Sequence, residues 1–147
     1  KWQNHWMAHA RLLSSQSPCC RRHVGAVLID EQNNPVSAGF NGTPRGFDGA
    51  LCGGLTCLRD DQHVKSGTAN EVGCLHAEAN ALIQSLRRGI SPVGCTLVVS
   101  CPPCLGCARL IGDSGIKAVV MPIDQYIRAG ADYLEERGLE IIRVEDA

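Results

Sequence analysis

Cys74-Leu75-His76-Ala77-Glu78-Ala79-Asn80 places a histidine and a glutamate two residues apart at the start of a run of good helix formers. Apolar residues then recur at i, i+3, i+4 and i+7, which predicts a helix that buries one face: Ala79, Leu82, Ile83 and Leu86. We therefore expect His76 and Glu78 in the first turn of a buried helix. Unpaired backbone N–H groups at a helix start favour nearby anions. A histidine and a carboxylate there suit a metal site with a proton shuttle.

Ser100 to Ala108 supplies further metal ligands. Within it, Cys104 and Cys107 form a C-x-x-C that opens a predicted helix from Leu105 to Gly112. One histidine and two cysteines leave the fourth tetrahedral position open, which is typical of a catalytic zinc, one per chain. The pair of motifs resembles the H-x-E and P-C-x-x-C signature of the zinc deaminases. Cys101 forms a second C-x-x-C with Cys104, but the family pattern, with Pro103 directly before its first cysteine, favours Cys104 and Cys107.

Composition indicates one globular domain over residues 1–147, since 44% of the residues are hydrophobic and 20% are charged. A net charge of −1 gives no electrostatic case for nucleic-acid binding. No apolar run approaches membrane-spanning length and nothing reads as a signal peptide, so we expect no membrane partner and a cytoplasmic location. Nine cysteines without an export signal favour metal binding in a reducing compartment.

The order of predicted elements indicates an α/β fold. Residues 2–15 read as a helix, and Val24–Ile29 and Val36–Phe40 as an antiparallel hairpin. After the helix that begins near His76, strands and helices alternate, which favours parallel pairing with helices on both faces of one sheet. These later elements are the strands Cys95–Ser100, Ile116–Met121 and Leu139–Val144 and the helices Leu105–Gly112 and Ile127–Arg137. We expect the last strand at a sheet edge.

Four motifs together resemble the deoxycytidylate deaminases of the cytidine deaminase superfamily, over about Ser17 to Val144. They are C-x-R-R-x-V-G-A-V at residues 19–27, G-F-N-G-x-P at 39–44 with Phe40 for the usual tyrosine, H-A-E-x-N-A at 76–81, and P-C-x-x-C-A at 103–108. The Cys19-Cys20 pair is most similar to the phage members, which would place the protein in a host cytoplasm.

The resemblance implies a three-layer α-β-α sandwich with a mixed five-stranded sheet, and hydrolysis of dCMP to dUMP and ammonia for dTMP synthesis. It also implies a homohexamer, activated by dCTP and inhibited by dTTP, with magnesium accompanying the regulatory triphosphate. The regulatory nucleotide is associated with the loop of Gly39, Phe40, Asn41 and Gly42.

Residue roles follow from the same resemblance. Zinc would be held by His76, Cys104 and Cys107, and Glu78 would carry protons without ligating the metal. Asn41 would contact the nucleotide, and Tyr126 its phosphate. Apart from the resemblance, we choose Arg22 as the charge partner of the phosphate, because a phosphate needs such donors. A solvated surface role for Arg22 and core packing for Tyr126 are the competing interpretations. Arg87 suits either contact with a neighbouring subunit or a favourable charge at a helix C-terminus.

A second, structural zinc is a further hypothesis, because residues 45–73 form a long irregular segment that needs a reason. Its candidate ligands are Cys19, Cys52, Cys57, His63 and Cys74. Cys57 and His63 are alternatives for the fourth ligand. Free buried cysteines are the competing interpretation.

Three other functions stay open. A deaminase of nucleic-acid bases or free bases shares both zinc motifs, but the acidic balance and the G-F-N-G-T-P loop argue against it. A non-catalytic, zinc-stabilised binding module of the competence-protein type would have no need of Glu78. A deaminase of dCTP or of a modified dCMP has the same motifs.

Overall fold

The computed structural model describes residues 1–19, 22–45, 62–63, 73–123 and 128–145. Cys52, Cys57 and Tyr126, three of the predicted site residues, lie outside the described residues. The elements of the described chain are α1 (Trp2–Ser14), β1 (Gly25–Ile29), β2 (Pro35–Phe40), α2 (Ala77–Arg87), β3 (Thr96–Val99), α3 (Leu105–Ser114), β4 (Ala118–Pro122), α4 (Ala129–Glu136) and β5 (Glu140–Val144).

The strands form one mixed sheet in the order β2-β1-β3-β4-β5. β1 pairs antiparallel with both β2 and β3, whereas β4 pairs parallel with β3 and with β5. The predicted hairpin, the parallel second half and the edge position of the last strand are thereby confirmed. The described sheet therefore changes from antiparallel to parallel pairing at β3, the strand that leads into the cysteine motif.

Helices cover both faces of this sheet because its strands are apolar on both sides. Successive side chains of a strand point to opposite faces, so Val27 and Val98 pack under α1, while Leu28 and Leu97 pack under the other helices. The α1 side also buries Trp6, Met7 and Ala10. The opposite side is larger and joins α2, α3 and α4 around Ile111, Met121 and Leu134. The predicted three layers are confirmed.

The prediction for the buried face of α2 is wrong. Leu86 is 78% exposed, and Ala79, Leu82 and Ile83 are only half-buried. The buried positions are instead Ala77, Glu78, Ala81 and Ser85. The reason is close packing on β2, where a Cβ on Gly39 would come within 2.6 Å of the Ala77 carbonyl oxygen and of the Ala81 nitrogen. A helix that approaches a strand this closely must present small side chains to it.

Among the described residues, every helix falls short of the length and hydrophobicity that a membrane crossing needs.

Candidate active site

His76 is the N-cap residue of α2 and not part of its first turn. Its backbone is extended, with φ −74° and ψ 156°. The residue before it, Leu75, forms an isolated antiparallel bridge with Gly42, with N–H to carbonyl distances of 2.9 and 3.1 Å. The loop that follows β2 therefore fixes the point where the chain enters α2, and with it the position of the histidine.

Cys104 caps the start of α3 in the same way. Its backbone is extended, with φ −70° and ψ 166°, and its sulfur accepts the Cys107 N–H at 3.5 Å. Pro102 and Pro103 precede it, and a residue before a proline is held away from the helical region, so α3 cannot begin earlier. Cys107 follows one turn later, on the same side of the helix start.

These two helix starts bring three metal-binding side chains together. The Nδ1 atom of His76 lies 3.4 Å from the Cys104 sulfur and 3.3 Å from the Cys107 sulfur, and all the donor atoms lie within 4.8 Å of one another. Zinc with Zn–S of about 2.3 Å and Zn–N of about 2.0 Å has tetrahedral N···S edges of roughly 3.5 Å. The donor set therefore fits a tetrahedral zinc ion with its fourth position open.

Cys101 does not join this group. It is buried just beyond β3, and within the part of the chain that the structure describes, the group of three potential ligands comprises His76, Cys104 and Cys107. The geometry favours the second of the two C-x-x-C pairs.

The two thiols are electrostatically unequal. Cys104 forms a hydrogen bond with Cys107, and this bond lowers the pKa of the Cys104 thiol. The His76 side chain lowers that pKa further. The same hydrogen bond, followed by burial, raises the pKa of the Cys107 thiol. Cys104 is therefore the first thiol to ionise, and a divalent cation that binds here must displace the remaining thiol proton.

Glu78 lies in the first turn of α2 and is 4% exposed. Burial raises the pKa of its carboxyl to about 7, although the nearby His76 opposes this shift. A carboxyl group that is half protonated near neutral pH can both accept and donate a proton there. The arrangement thus combines a candidate zinc site with an acid–base group two residues along the chain.

An open cleft of about 680 Å³ adjoins the three donors. Its walls include Arg109 and Leu110 of α3 and Tyr133 of α4. Tyr133 is further fixed by a 2.9 Å hydrogen bond from Arg137. Sequence reasoning assigned no role to these side chains, because nothing in the local pattern shows that α4 packs beside α3.

Two of the residues predicted to bind the nucleotide lie next to each other: Arg22 shortly precedes β1, and Asn41 directly follows β2. Asn41 is 6% exposed, and its amide donates to the Arg22 carbonyl at 2.7 Å and accepts the Val24 N–H at 2.8 Å. Asn41 therefore holds the backbone around Arg22. Contact of Asn41 or Arg22 with a nucleotide stays a prediction, as does any role of Tyr126.

The predicted regulatory loop, Gly39 to Gly42, borders a separate cavity of about 280 Å³. Thr43 and Arg45 also line it. Arg45 provides a cation beside this loop.

The predicted structural zinc site is described only in part. Cys19 is buried and Cys74 half-buried, while Cys52 and Cys57 lie outside the described residues. Among the residues that are described, Cys19, His63 and Cys74 do not form a group of three converging ligands. The second site stays a prediction.

Comparisons with known proteins agree with this geometry. The family model of the cytidine and deoxycytidylate deaminase zinc-binding region matches residues 1–123. ComE operon protein 2 of Bacillus subtilis is 31% identical over 145 residues, which cover 98% of this chain and 71% of that protein. Deoxycytidylate deaminase of Schizosaccharomyces pombe is 38% identical over 122 residues, which cover 81% of this chain and 36% of the yeast protein.

A solved structure is similar over nearly the whole chain. The dCMP deaminase of cyanophage S-TIM5, in complex with dCMP and dUMP, superposes with a TM-score of 0.78 at 30% identity. The match covers 97% of this chain and 96% of that one. The chain belongs to the cytidine and deoxycytidylate deaminase family.

Proposed function

We propose that this protein hydrolyses dCMP to dUMP and ammonia. The observation that carries the proposal is the buried Glu78 beside the converging His76, Cys104 and Cys107. A purely structural zinc needs no buried acid–base group next to an open coordination position. The similar cyanophage enzyme, whose structure contains dCMP and dUMP, supports the choice of substrate. The reaction would supply dUMP for dTMP synthesis.

The chemistry divides between the metal and Glu78. Zinc held by His76, Cys104 and Cys107 would supply a water molecule activated for attack at C4 of cytosine. Glu78 would accept a proton from the attacking water and deliver it to N3, while the C4–O bond forms. Glu78 then takes the proton of the new C4 hydroxyl and passes it to the exocyclic amine, so that the C4–N bond breaks, ammonia leaves and C4 becomes a carbonyl. The raised pKa of Glu78 suits both directions of transfer.

The substrate phosphate would be bound by Arg22 and Tyr126, and Asn41 would contact the nucleotide. Support comes from Asn41, because its side chain fixes the carbonyl of Arg22 and the N–H of Val24. A buried amide that holds the backbone of an arginine limits where its guanidinium can reach. A guanidinium is also well suited to phosphate oxygens.

Regulation is proposed at the cavity beside Gly39, Phe40, Asn41 and Gly42. A triphosphate accompanied by magnesium would bind there, with dCTP raising activity and dTTP lowering it. The cation of Arg45 in the lining supports an anionic ligand.

A second zinc ion would join Cys19 and Cys74 to Cys52 and to either Cys57 or His63. The supporting observation is chemical, since thiolates and imidazole form closed four-ligand zinc sites. Metal analysis should then find two zinc ions per chain. A value of one would leave these cysteines as free thiols.

We propose that the protein forms a homohexamer in which copies of the chain contact one another through the face that carries α2 and α3. Leu86, Leu105 and Leu110 are 78%, 43% and 53% exposed there. Exposed apolar side chains on two neighbouring helices make these helices the candidate interface. A second copy of the chain is the occupant that this proposal names.

The deciding experiment measures ammonia release with dCMP, deoxycytidine and dCTP, each with and without added dCTP or dTTP. Turnover of dCMP alone, raised by dCTP and lowered by dTTP, is the expected result. Activity on deoxycytidine but not dCMP would remove the phosphate roles of Arg22 and Tyr126. A zinc-loaded protein inactive on all three would contradict the proposal and direct attention to nucleic-acid substrates.

A further inference from the structure

The catalytic helix α2 is attached to the outer strand β2 by side chains one helical turn apart. The Asn80 amide donates to the Phe40 carbonyl at 2.8 Å, and the Gln84 side-chain oxygen accepts the Ala38 N–H at 2.6 Å. Residues at i and i+4 share one face of a helix. In the described sheet β2 is an edge strand, so these two amides occupy backbone groups that a further strand would otherwise bind.

Asn80 differs from Gln84 because its attachment reaches the catalytic turn. The Asn80 backbone N–H donates to the His76 carbonyl at 3.0 Å, which closes the first turn of α2. On the other side of the histidine, Leu75 exchanges two backbone hydrogen bonds with Gly42. The segment from Phe40 to Gly42 therefore holds the chain both before His76 and after Glu78.

Little freedom is left between these two attachments. Gly39 approaches the backbone of Ala77, Asn80 and Ala81 so closely that a Cβ on it would lie 2.6 to 2.9 Å from their atoms. The contact is backbone against backbone, without an intervening side chain that could readjust. A shift of the Phe40 carbonyl would therefore be transmitted to the first turn of α2.

This matters because the site is built from two independent helix starts. His76 and Glu78 come from α2, whereas Cys104 and Cys107 come from α3. Among the residues that the structure describes, no disulfide joins the two helix starts, and displacements of about 1 Å can cost about 100-fold in rate.

We propose that Asn80 is a positioning residue, which holds His76 and Glu78 in register with the two cysteines through its hydrogen bond to the Phe40 carbonyl. Outer-shell partners of metal ligands typically contribute about 10- to 100-fold in affinity or activity. Loss of the Asn80 donor should therefore lower kcat and metal affinity by about tenfold or more, and leave KM nearly unchanged. The prediction for kcat rests on the proposed deamination of dCMP, whereas the prediction for metal affinity does not.

The test compares Asn80→Ala and Asn80→Asp with Gln84→Ala and Ser37→Ala. Asn80→Asp keeps the size of the side chain but removes the N–H donor. Each of the two control variants also removes a single hydrogen bond between α2 and β2: the one from the Ala38 N–H to the Gln84 side-chain oxygen, or the one from the Ser37 hydroxyl to the Ala81 carbonyl. Each protein is titrated with Co²⁺, whose visible absorption reports the ligand geometry. Zinc affinity is measured by chelator competition. The values of kcat and KM are measured with dCMP as substrate, and stability is measured by thermal denaturation.

We expect both Asn80 variants to show altered Co²⁺ spectra, weaker zinc binding and lower kcat. The control variants should keep near wild-type values. The proposal is overturned if the Asn80 variants keep wild-type spectra and zinc affinity. It is equally overturned if all four variants lose metal binding in proportion to their loss of thermal stability, since the role would then be structural. A wild-type protein inactive on dCMP would refute the proposed function alone, because the Co²⁺ and zinc measurements still decide the role of Asn80.

Discussion

Burying a carboxyl group as deeply as that of Glu78 costs folding free energy. Its charged form loses hydration, and this loss raises the pKa of the group to about 7. The first turn of α2 limits the cost, because backbone N–H groups there favour a negative charge. Perturbed carboxyl groups in such surroundings are typical of functional sites. Glu78, in the first turn of α2 and two residues after a candidate metal ligand, is therefore placed for proton transfer and not for stabilising the fold.

Glu78→Gln should abolish turnover while the protein keeps its zinc. Glutamine has nearly the same shape, but it cannot carry a proton between water and the base. General acid–base groups contribute about 10²- to 10⁴-fold in rate, so kcat should fall by at least about 10²-fold. Ammonia release and metal content measured on the same sample test this directly. A variant with wild-type kcat would show that Glu78 is not the shuttle.

The cysteines allow a sharper test of the ligand set. Cys104→Ser and Cys107→Ser should each lose most bound zinc, because a serine hydroxyl is a far weaker zinc ligand than a thiolate. Cys101→Ser is the matched control, since Cys101 is also buried but lies outside the converging group. Metal analysis after dialysis against a mild chelator gives the answer. Retained zinc in Cys107→Ser together with loss in Cys101→Ser would favour the other C-x-x-C pair, Cys101 and Cys104.

At the scale of elements, the order, type and pairing of the strands could be predicted from the sequence. Period-2 and period-3.6 patterns are local, and so are the motifs that contain His76 and Cys104. The buried face of α2 could not be predicted in this way. Its large apolar residues gave the stronger periodic signal, but the sheet accepts only the small face of Ala77, Ala81 and Ser85, because β2 presents Gly39.

Contacts between distant segments were also out of reach. The bridge between Gly42 and Leu75 and the hydrogen bond from Asn80 to Phe40 each join residues more than 30 positions apart. Single-residue patterns carry no information about such pairs. The signal for Asn80 was its place two residues after Glu78 within the motif, which indicates a role without specifying the partner.

The start of α4 should influence the metal centre through Gly130. A Cβ added there would overlap the Pro103 carbonyl oxygen and lie 3.0 Å from the carbonyl oxygen of Cys104. Gly130→Ala must therefore push α4 away from the cysteine turn. Overpacking of this kind costs about 1–3 kcal/mol, so a lower melting temperature and weaker zinc binding are expected.

Gly112→Ala is the matched control for that experiment. Gly112 lies inside α3, and the nearest atoms that a Cβ there would meet belong to the Arg137 and Tyr133 side chains, at 3.3 Å, and not to backbone. Alanine is favoured over glycine in helices by about 1 kcal/mol, so this variant should keep or raise stability. Thermal denaturation and chelator competition on both variants test the pair. Equal behaviour of the two would show that the close approach at Gly130 does not constrain the site.

For the molecule as a whole, sheet topology explains where the site lies. The cysteine turn follows the carboxyl end of β3, the strand at which pairing changes from antiparallel to parallel. In α/β sheets, ligands bind outside the carboxyl ends of the strands. α2, packed against β2 and β1 on the same face, contributes the histidine from the antiparallel half. The site thus spans the two halves of the sheet.

The same arrangement leaves α2 and α3 with exposed leucines on the face that also carries the cleft. We expect the double variant Leu86→Glu, Leu110→Glu to dissociate the proposed oligomer, because charged side chains are disfavoured in buried interface cores. Leu12→Glu is the control: Leu12 is 71% exposed but lies on α1, across the sheet. Light scattering coupled to size-exclusion chromatography should show a smaller species for the double variant only. Because the cleft beside the metal ligands also includes Leu110, the smaller species should deaminate dCMP more slowly. A double variant with unchanged mass, or dissociation by Leu12→Glu instead, would place the interface elsewhere.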